Sequence, residues 1–289
     1  YAVNWAVIPN LAIDLIGPPL IQMFGLYAAG KCLIALALLL PVLGSVAYSR
    51  AVFGRRTYWP MASGLVAYNG LFLLGLLNFS IGLGAALLAA ALCASLRERP
   101  LGLRAAIAAS CSIVLFFLHL FAVLFFAILV AARELASGRR SAGALAAIGA
   151  SVAIPPVLLL AVAPLREVGG GPVWPPALDK LWELTVPFMG YHLPETIILS
   201  ASVMIFLGLC AERRQCRAAP GIGVAMAGLL VLFLALPFVL WHTAFIGTRV
   251  PVMLALLAFA GLLPVARSRR ERAVVVSLLV LALGVRIGS

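Results

Sequence analysis

The stretch Ala105–Ala132, AAIAASCSIVLFFLHLFAVLFFAILVAA, decides how the rest of the chain is placed. As one helix it is about 42 Å long, enough to cross a hydrocarbon core of about 30 Å if tilted. As two helices turning near His119 it gives legs of about 13 residues, near 20 Å each. Arg97, Arg99 and Arg104 precede it, and Arg133, Arg139 and Arg140 follow it. A single rod puts these two clusters on opposite faces, and a hairpin puts them on one. With the hairpin they share that face with Arg50, Arg55, Arg56, Arg213, Arg214, Arg217, Arg267, Arg269, Arg270 and Arg272. Sixteen of the 21 basic residues then lie together, and Lys31, Arg166, Lys180, Arg249 and Arg286 lie opposite. A rod reverses everything downstream and splits the same residues ten against eleven. Cytoplasmic loops of membrane proteins carry the excess of Lys and Arg, so the sequence predicts the hairpin. Legs this short must be shielded by protein or line a cavity.

Composition sets the solvent. The chain has 289 residues, 64% of them hydrophobic and 10% charged, with a mean hydropathy of +1.16. Soluble domains run nearer half apolar and about a quarter charged. A water-soluble enzyme, a disordered tail and a secreted disulfide scaffold are excluded. The net charge of +12 sits in short clusters between apolar runs, the pattern of a polytopic membrane protein and not of a nucleic-acid surface. The five cysteines show no CxxC or Cys/His metal spacing and read as small hydrophobes. Tyr1 in place of Met, and an end at Ser289 without a polar tail, point to a piece of a longer chain; no signal peptide is visible.

The expected fold is all-α and polytopic, with about ten transmembrane helices. Clear spans are Ala28–Ser49, Ser141–Ala163, Glu195–Ala211, Ala218–Leu240, Val250–Ala266 and Ala273–Ser289. Met61–Leu96 would be about 54 Å long as one helix, so it is a second hairpin, turning at Leu77–Ser80. The chain then divides into an outer amphipathic loop (1–27), a six-helix membrane core (28–163), an outer loop (164–194) and four further helices (195–289). The outer face is neutral and the inner face carries all the net charge, which fits contact with anionic lipid.

Chemistry has few places to sit. In 1–27, Asn10 and Asp14 are four apart and share a face if helical, with Pro9 in the first turn and Gly17-Pro18-Pro19 as an interruption. This reads as an interfacial helix on the outer leaflet. The outer loop 164–194 holds LDKLWEL, a short surface helix around Leu178–Leu184, with Trp174 and Trp182 at headgroup level. In WHTAFIGTR (241–249), Arg249 either snorkels to headgroups or, with His242, holds a phosphate. Within the apolar runs, Asn69, Asn78 and His119 are polar groups that either bond neighbouring helices or line a substrate cavity. No dinucleotide-binding glycine motif, Walker lysine, HExxH or GxSxG occurs, no span holds two acids, and no internal repeat is visible.

The order of elements from Pro18-Pro19 through MFGLYAAGKCLIAL to SRAVFGRR resembles the GT-C membrane glycosyltransferases, which use polyprenyl-phosphate-linked sugars. Gly25 and Lys31 match the family's glycine and basic position, and Phe53-Gly54-Arg55-Arg56 matches its inner loop. AYNGLFLLGLLNFSIGLG resembles its short third-and-fourth-helix pair, with Asn69 and Asn78 at the polar positions. The His119 hairpin matches the next short pair. The resemblance covers about residues 10–165, and the family's main acidic position would precede Tyr1. It implies a transferase acting at the outer face of the bacterial inner membrane, with the lipid bilayer and a polyprenyl-phosphate-linked sugar as partners. Asp14 would be the catalytic carboxylate, and Asn10, Lys31, Asn69, Asn78, His119, His242 and Arg249 would bind substrate. It leaves room for a divalent cation, with no metal ligand assigned. The competing expectation is a non-catalytic polytopic protein, such as a lipid or polymer transporter or an assembly factor.

Overall fold

Apolar runs in lipid become helices because each backbone N–H and C=O must then be satisfied within the chain. The structure, a computed structural model, describes residues 6–138, 141–164, 170–212, 215–241, 243–265, 273, 276–277 and 279–284. Helix α1 spans Ala12–Phe24. Asn10 precedes it in a left-handed turn (φ 68°), so the expected shared helix face of Asn10 and Asp14 does not form. The expected interruption at Gly17-Pro18-Pro19 is also absent, since both prolines lie inside α1. They withhold amides from the carbonyls of Asp14 and Leu15. Both of those residues are exposed, away from the packed core.

Gly25 (φ 79°) separates α1 from α2, Leu26–Phe53, which ends at the left-handed Gly54. The return leg is broken: a 3₁₀ turn at Trp59–Ser63, then α3 (Gly64–Ala67) and α4 (Gly70–Leu73). Gly75 (φ 79°) then admits the turn into α5, Leu77–Ser95. Leu77–Ser80, expected as the turn, is instead the first turn of α5, because Gly75 supplies the positive φ that the reversal needs. Gly84 packs on the main chain of Leu40, and Gly44 on Gly84 and Leu87. This register makes α2 and α5 parallel, so 54–76 must climb back along them.

Helices α6 (Leu101–Leu118) and α7 (Leu120–Ala136) flank His119, whose backbone is extended (φ −172°, ψ 137°). The side chains of Arg104, early in α6, and Glu134, late in α7, form an ion pair. The two ends of the stretch therefore meet, and the expected reversal at His119 is observed. The legs are 18 and 17 residues long and not the short legs of about 13 expected, because both helices run on past the apolar stretch into its flanking residues. The hairpin tip packs against α5, where a Cβ at Gly82 would lie 3.2 Å from that of His119. Helix α8 (Ala142–Val162) runs beside α6. Ser112 Oγ donates to the carbonyl of Val152, the one that Pro156 leaves without its helical amide.

Helix α9 (Ala177–Trp182) continues as a 3₁₀ turn, Glu183–Phe188, and α10 (Leu193–Glu212) leaves it at 89°. Strand β1 (Cys216–Ala218), helices α11 (Ile222–Ala235) and α12 (Arg249–Gly261), and strand β2 (Leu262–Pro264) follow. The two strands pair antiparallel with Cys216 opposite Pro264. The fold is mostly helical, as expected, and this short pair is the exception: the chain leaving α10 and the chain leaving α12 satisfy each other's backbone groups side by side.

One end of the bundle gathers the basic clusters. Arg133 lies within electrostatic reach of Tyr48, Arg97 and Glu134. Arg217 sits 6.0 Å over the Phe53 ring, and Gly221 packs on the backbone of Ala132 and Arg133. The opposite end holds the lead-in to α1, His119, α9 and the loop before α12. Between the ends, Phe79, Phe116, Phe125, Phe126 and Phe259 are fully buried. Among the described residues, α2, α5, α6 and α8 are long and apolar enough to cross a membrane, and the bent pair of α9 and α10 makes a fifth if it is one span. Helices α11 (14 residues) and α12 (13 residues) are shorter, so helix length alone does not reach the expected ten. The expected last span, Ala273–Ser289, lies largely outside the described residues.

Candidate functional site

At the end opposite the arginine clusters, 170–190 folds over the loop between α11 and α12. The amide of Val173 donates to Val239 O at 2.9 Å, and that of Phe238 to Val173 O at 3.0 Å. Pro176 then starts α9, its fixed φ suiting the position before a first helical turn. This places Lys180 and Glu183 one turn apart and facing inward. Lys180 Nζ lies 2.9 Å from Glu183 Oε2, donates to Leu236 O at 3.0 Å, and sits 4.4 Å over the Phe233 ring. Thr248 Oγ1 donates to Glu183 Oε1 at 3.1 Å. Gly247 leaves room for the Lys180 ammonium, which a Cβ there would have to displace. A buried ion pair is tolerated only when its remaining bonds are supplied. Lys180 finds them in a carbonyl and a ring, and Glu183 in a hydroxyl.

Beside this cluster is a cavity of about 630 Å³. Trp174, Trp182, Met189, Phe238 and Phe245 give it apolar and aromatic walls, and Asp179, Glu183 and Thr248 give it oxygen atoms. No basic side chain is among its described lining residues. The aromatic faces suit the apolar face of a ligand, and the carboxylates accept hydrogen bonds from hydroxyls.

The residues singled out from sequence fall in several places. His119 is buried. Its Nδ1 accepts the Phe121 amide at 3.1 Å, which caps α7. Its ring meets Phe79 edge-on at 5.3 Å and Phe121 at 5.9 Å. Arg249, the first residue of α12, is buried with its guanidinium 5.0 Å over the same Phe121 ring. Asn69 caps α4: Oδ1 accepts from Leu71 N and Phe72 N at 2.9 and 3.1 Å, and Nδ2 donates to Val66 O at 2.8 Å. Its amide is filled by its own neighbourhood, which gives it a structural part. Asn78 Nδ2 donates to Asn10 O at 2.8 Å and ties the lead-in of α1 to α5. Asp14 and Lys31 are exposed on α1 and α2 and do not line the cavity. His242 lies outside the described residues. The structure thus joins His119 to Arg249 and Asn10 to Asn78, and leaves Asp14 and Lys31 apart from both pairs.

Sequence reasoning passed over Lys180, Glu183, Asp179 and Thr248. The signal was an i, i+3 charge pair between paired prolines and tryptophans, in a segment read only as a surface helix. Among the described residues no group of three His, Cys, Asp or Glu is placed to hold a metal, so the divalent cation that the resemblance leaves room for finds no donor set there. Compared with protein-family models, with characterised proteins and with solved structures, the chain matches none.

Proposed function

We propose that this protein is a membrane glycosyltransferase of the GT-C type. It would move a sugar from a lipid-phosphate donor to an acceptor hydroxyl at the outer face of a bacterial inner membrane. The observation that carries the proposal is the cavity of Trp174, Trp182, Asp179 and Glu183 at the end away from the arginine clusters. Indole faces beside carboxylates are the chemistry that holds a pyranose or furanose ring, whose C–H face is apolar and whose edge is hydroxylated. The arginine-rich end belongs in the cytoplasm by the positive-inside bias, which turns the cavity outward. In this reading α7, α11, α12 and the broken leg 54–76 are additional crossings sheltered by the longer helices, and the total approaches ten.

The reaction is a displacement at the anomeric carbon. The acceptor oxygen bonds to that carbon, the carbon–oxygen bond to phosphate breaks, the lipid phosphate leaves, and the acceptor proton passes to a carboxylate. Glu183 is engaged by Lys180 and Thr248, so Asp179 is the base this reading favours, and Asp14 on α1 is the second candidate. The test is transfer from radiolabelled mannosyl-, glucosyl- and arabinosyl-phosphopolyprenol to short glycosides by the full chain in nanodiscs. Asp179→Asn should lower the rate about 100-fold or more, the scale of a lost general base. No transfer with any donor, or wild-type rates in both Asp179→Asn and Asp14→Asn, overturns the proposal.

A second reading, lipid handling without catalysis, has one observation in its favour. A larger groove of about 810 Å³ runs along α10 past Trp59, Ile198, Phe206 and Phe259. In that case polyprenyl phosphates bind and no sugar moves.

A further inference from the structure

We infer that the groove along α10 seats an anionic diacyl phospholipid of the inner leaflet, with the indole N–H of Trp59 donating to an ester carbonyl. Trp59 lines the groove and is 7% exposed, and its Nε1 has no acceptor among the described residues. The rings of Phe206 and Phe259, which also line the groove, flank the indole at 5.3 and 5.2 Å. The indole cannot turn its N–H elsewhere without losing both contacts. A buried N–H is expensive to leave unpaired, and hydrocarbon supplies no acceptor. The Thr57 hydroxyl, two residues earlier, is a second buried group without a partner. A ligand that answers both must bring acceptors to this end of the groove and apolar surface to the rest.

Charge fixes which way that ligand lies. Arg55 and Arg56 are exposed just ahead of Trp59, and Tyr58 between them and the indole is 79% exposed. Aromatic side chains beside arginines mark the level of the membrane interface. At the other end the groove is lined by His192 and Glu195, and no Lys or Arg is among its described lining residues. A phosphate is repelled from the carboxylate end and attracted to Arg55 and Arg56. The head therefore lies beside the arginines and the tail points toward Glu195. A sugar-carrying lipid that serves the cavity of Trp174 and Trp182 needs its head at the opposite end, so the groove lipid is a different molecule. Length agrees. Glu195 and Phe206 are eleven residues apart on α10, about 16 Å. One leaflet is about 15 Å of hydrocarbon, half of a core of about 30 Å. An acyl chain matches that depth, and a polyprenyl chain overruns it.

The inference takes from the transferase reading only its orientation, with the arginine-rich end in the cytoplasm. Its test is binding, not turnover. The full chain, delipidated in a neutral detergent, is titrated with phosphatidylglycerol, phosphatidylethanolamine or decaprenyl phosphate, and native mass spectrometry reads the bound fraction. Phosphatidylglycerol should bind at least tenfold more tightly than phosphatidylethanolamine, and equimolar decaprenyl phosphate should not displace it. The double variant Arg55→Gln/Arg56→Gln should erase the preference between the two phospholipids. Trp59→Phe keeps a ring between Phe206 and Phe259 but deletes the N–H, and should weaken phosphatidylglycerol severalfold. Ser202→Trp fills the groove from an exposed lining position and should weaken it at least tenfold. Ile154→Trp adds the same bulk to the exposed face of α8 and should leave binding unchanged. Equal affinity for the two phospholipids, equal binding by wild type and Ser202→Trp, or displacement by decaprenyl phosphate overturns the inference. Sugar transfer without phosphatidylglycerol binding removes this lipid and leaves the transferase, and the reverse result removes the transferase alone.

Discussion

Arg104 and Glu134 are thirty residues apart and form an ion pair at the base of the α6–α7 hairpin, with side chains about four-fifths buried. That contact fixes the chain reversal at His119, and with it the side on which every later loop emerges. Removing one member leaves the other charged and poorly hydrated. Glu134→Gln and Arg104→Met should each cost about 2 kcal/mol, below the 3–5 kcal/mol of fully buried pairs. The exchange Arg104→Glu/Glu134→Arg should recover most of the loss. Thermal melting in detergent reads both effects, and equal melting temperatures in wild type and Glu134→Gln would show that the pair does not hold the hairpin.

The same reversal predicts labelling. Ser137, exposed just beyond α7, belongs on the side of Arg97, and Tyr191, exposed ahead of α10, belongs on the other. In a cysteine-free background, Ser137→Cys should react with an impermeant maleimide only in inverted vesicles, and Tyr191→Cys only in intact cells. Labelling of both from one side would dismiss the topology.

Arginine placement made the hairpin at His119 legible, because charge asymmetry depends only on which loop holds which residue. Helix α8 was legible for a related reason: an uncharged run of 21 residues between Ser141 and Ala163 has few other solutions in lipid. The leg 54–76 was not. Its apolar residues promised a regular helix, but Asn69 caps a new helix and Gly75 turns the chain, and both are local competitions that hydropathy does not weigh. The interior of α1 was misread because two prolines usually end a helix, and their cost falls when the orphaned carbonyls are exposed. At the site, His119 stood out as a polar group in an apolar run, and Arg249 as one of the five basic residues on the outer side. Lys180 and Glu183 did not, since a charge pair beside tryptophans looks like any interfacial surface until tertiary packing buries it.

Parallel α2 and α5 depend on two glycines. The position of a Cβ at Gly84 is already filled by the main chain of Leu40, which cannot rotate aside, whereas a Cβ at Gly30 meets nothing within 4 Å. Gly84→Ala should therefore destabilise by about 1–3 kcal/mol or more, as overpacked sites do. Gly30→Ala, in α2, should be neutral or up to about 1 kcal/mol stabilising from helix propensity alone. Melting both variants side by side separates close approach from a general preference for glycine. A neutral Gly84→Ala would mean that the two helices are farther apart than their register implies.

Ser112 and Pro156 form the last testable pair. Pro156 has no N–H, so the Val152 carbonyl loses its helical donor, and the Ser112 hydroxyl of the neighbouring helix replaces it at 2.5 Å. Both residues are buried, so water cannot substitute easily. Ser112→Ala should cost about 1–3 kcal/mol, the penalty of a buried acceptor left unpaired. Pro156→Ala restores an amide to that carbonyl, so in its presence Ser112→Ala should cost much less. A double-mutant cycle measured by thermal melting gives the coupling directly. Additive effects of the two substitutions would show that the hydroxyl does not compensate for the proline.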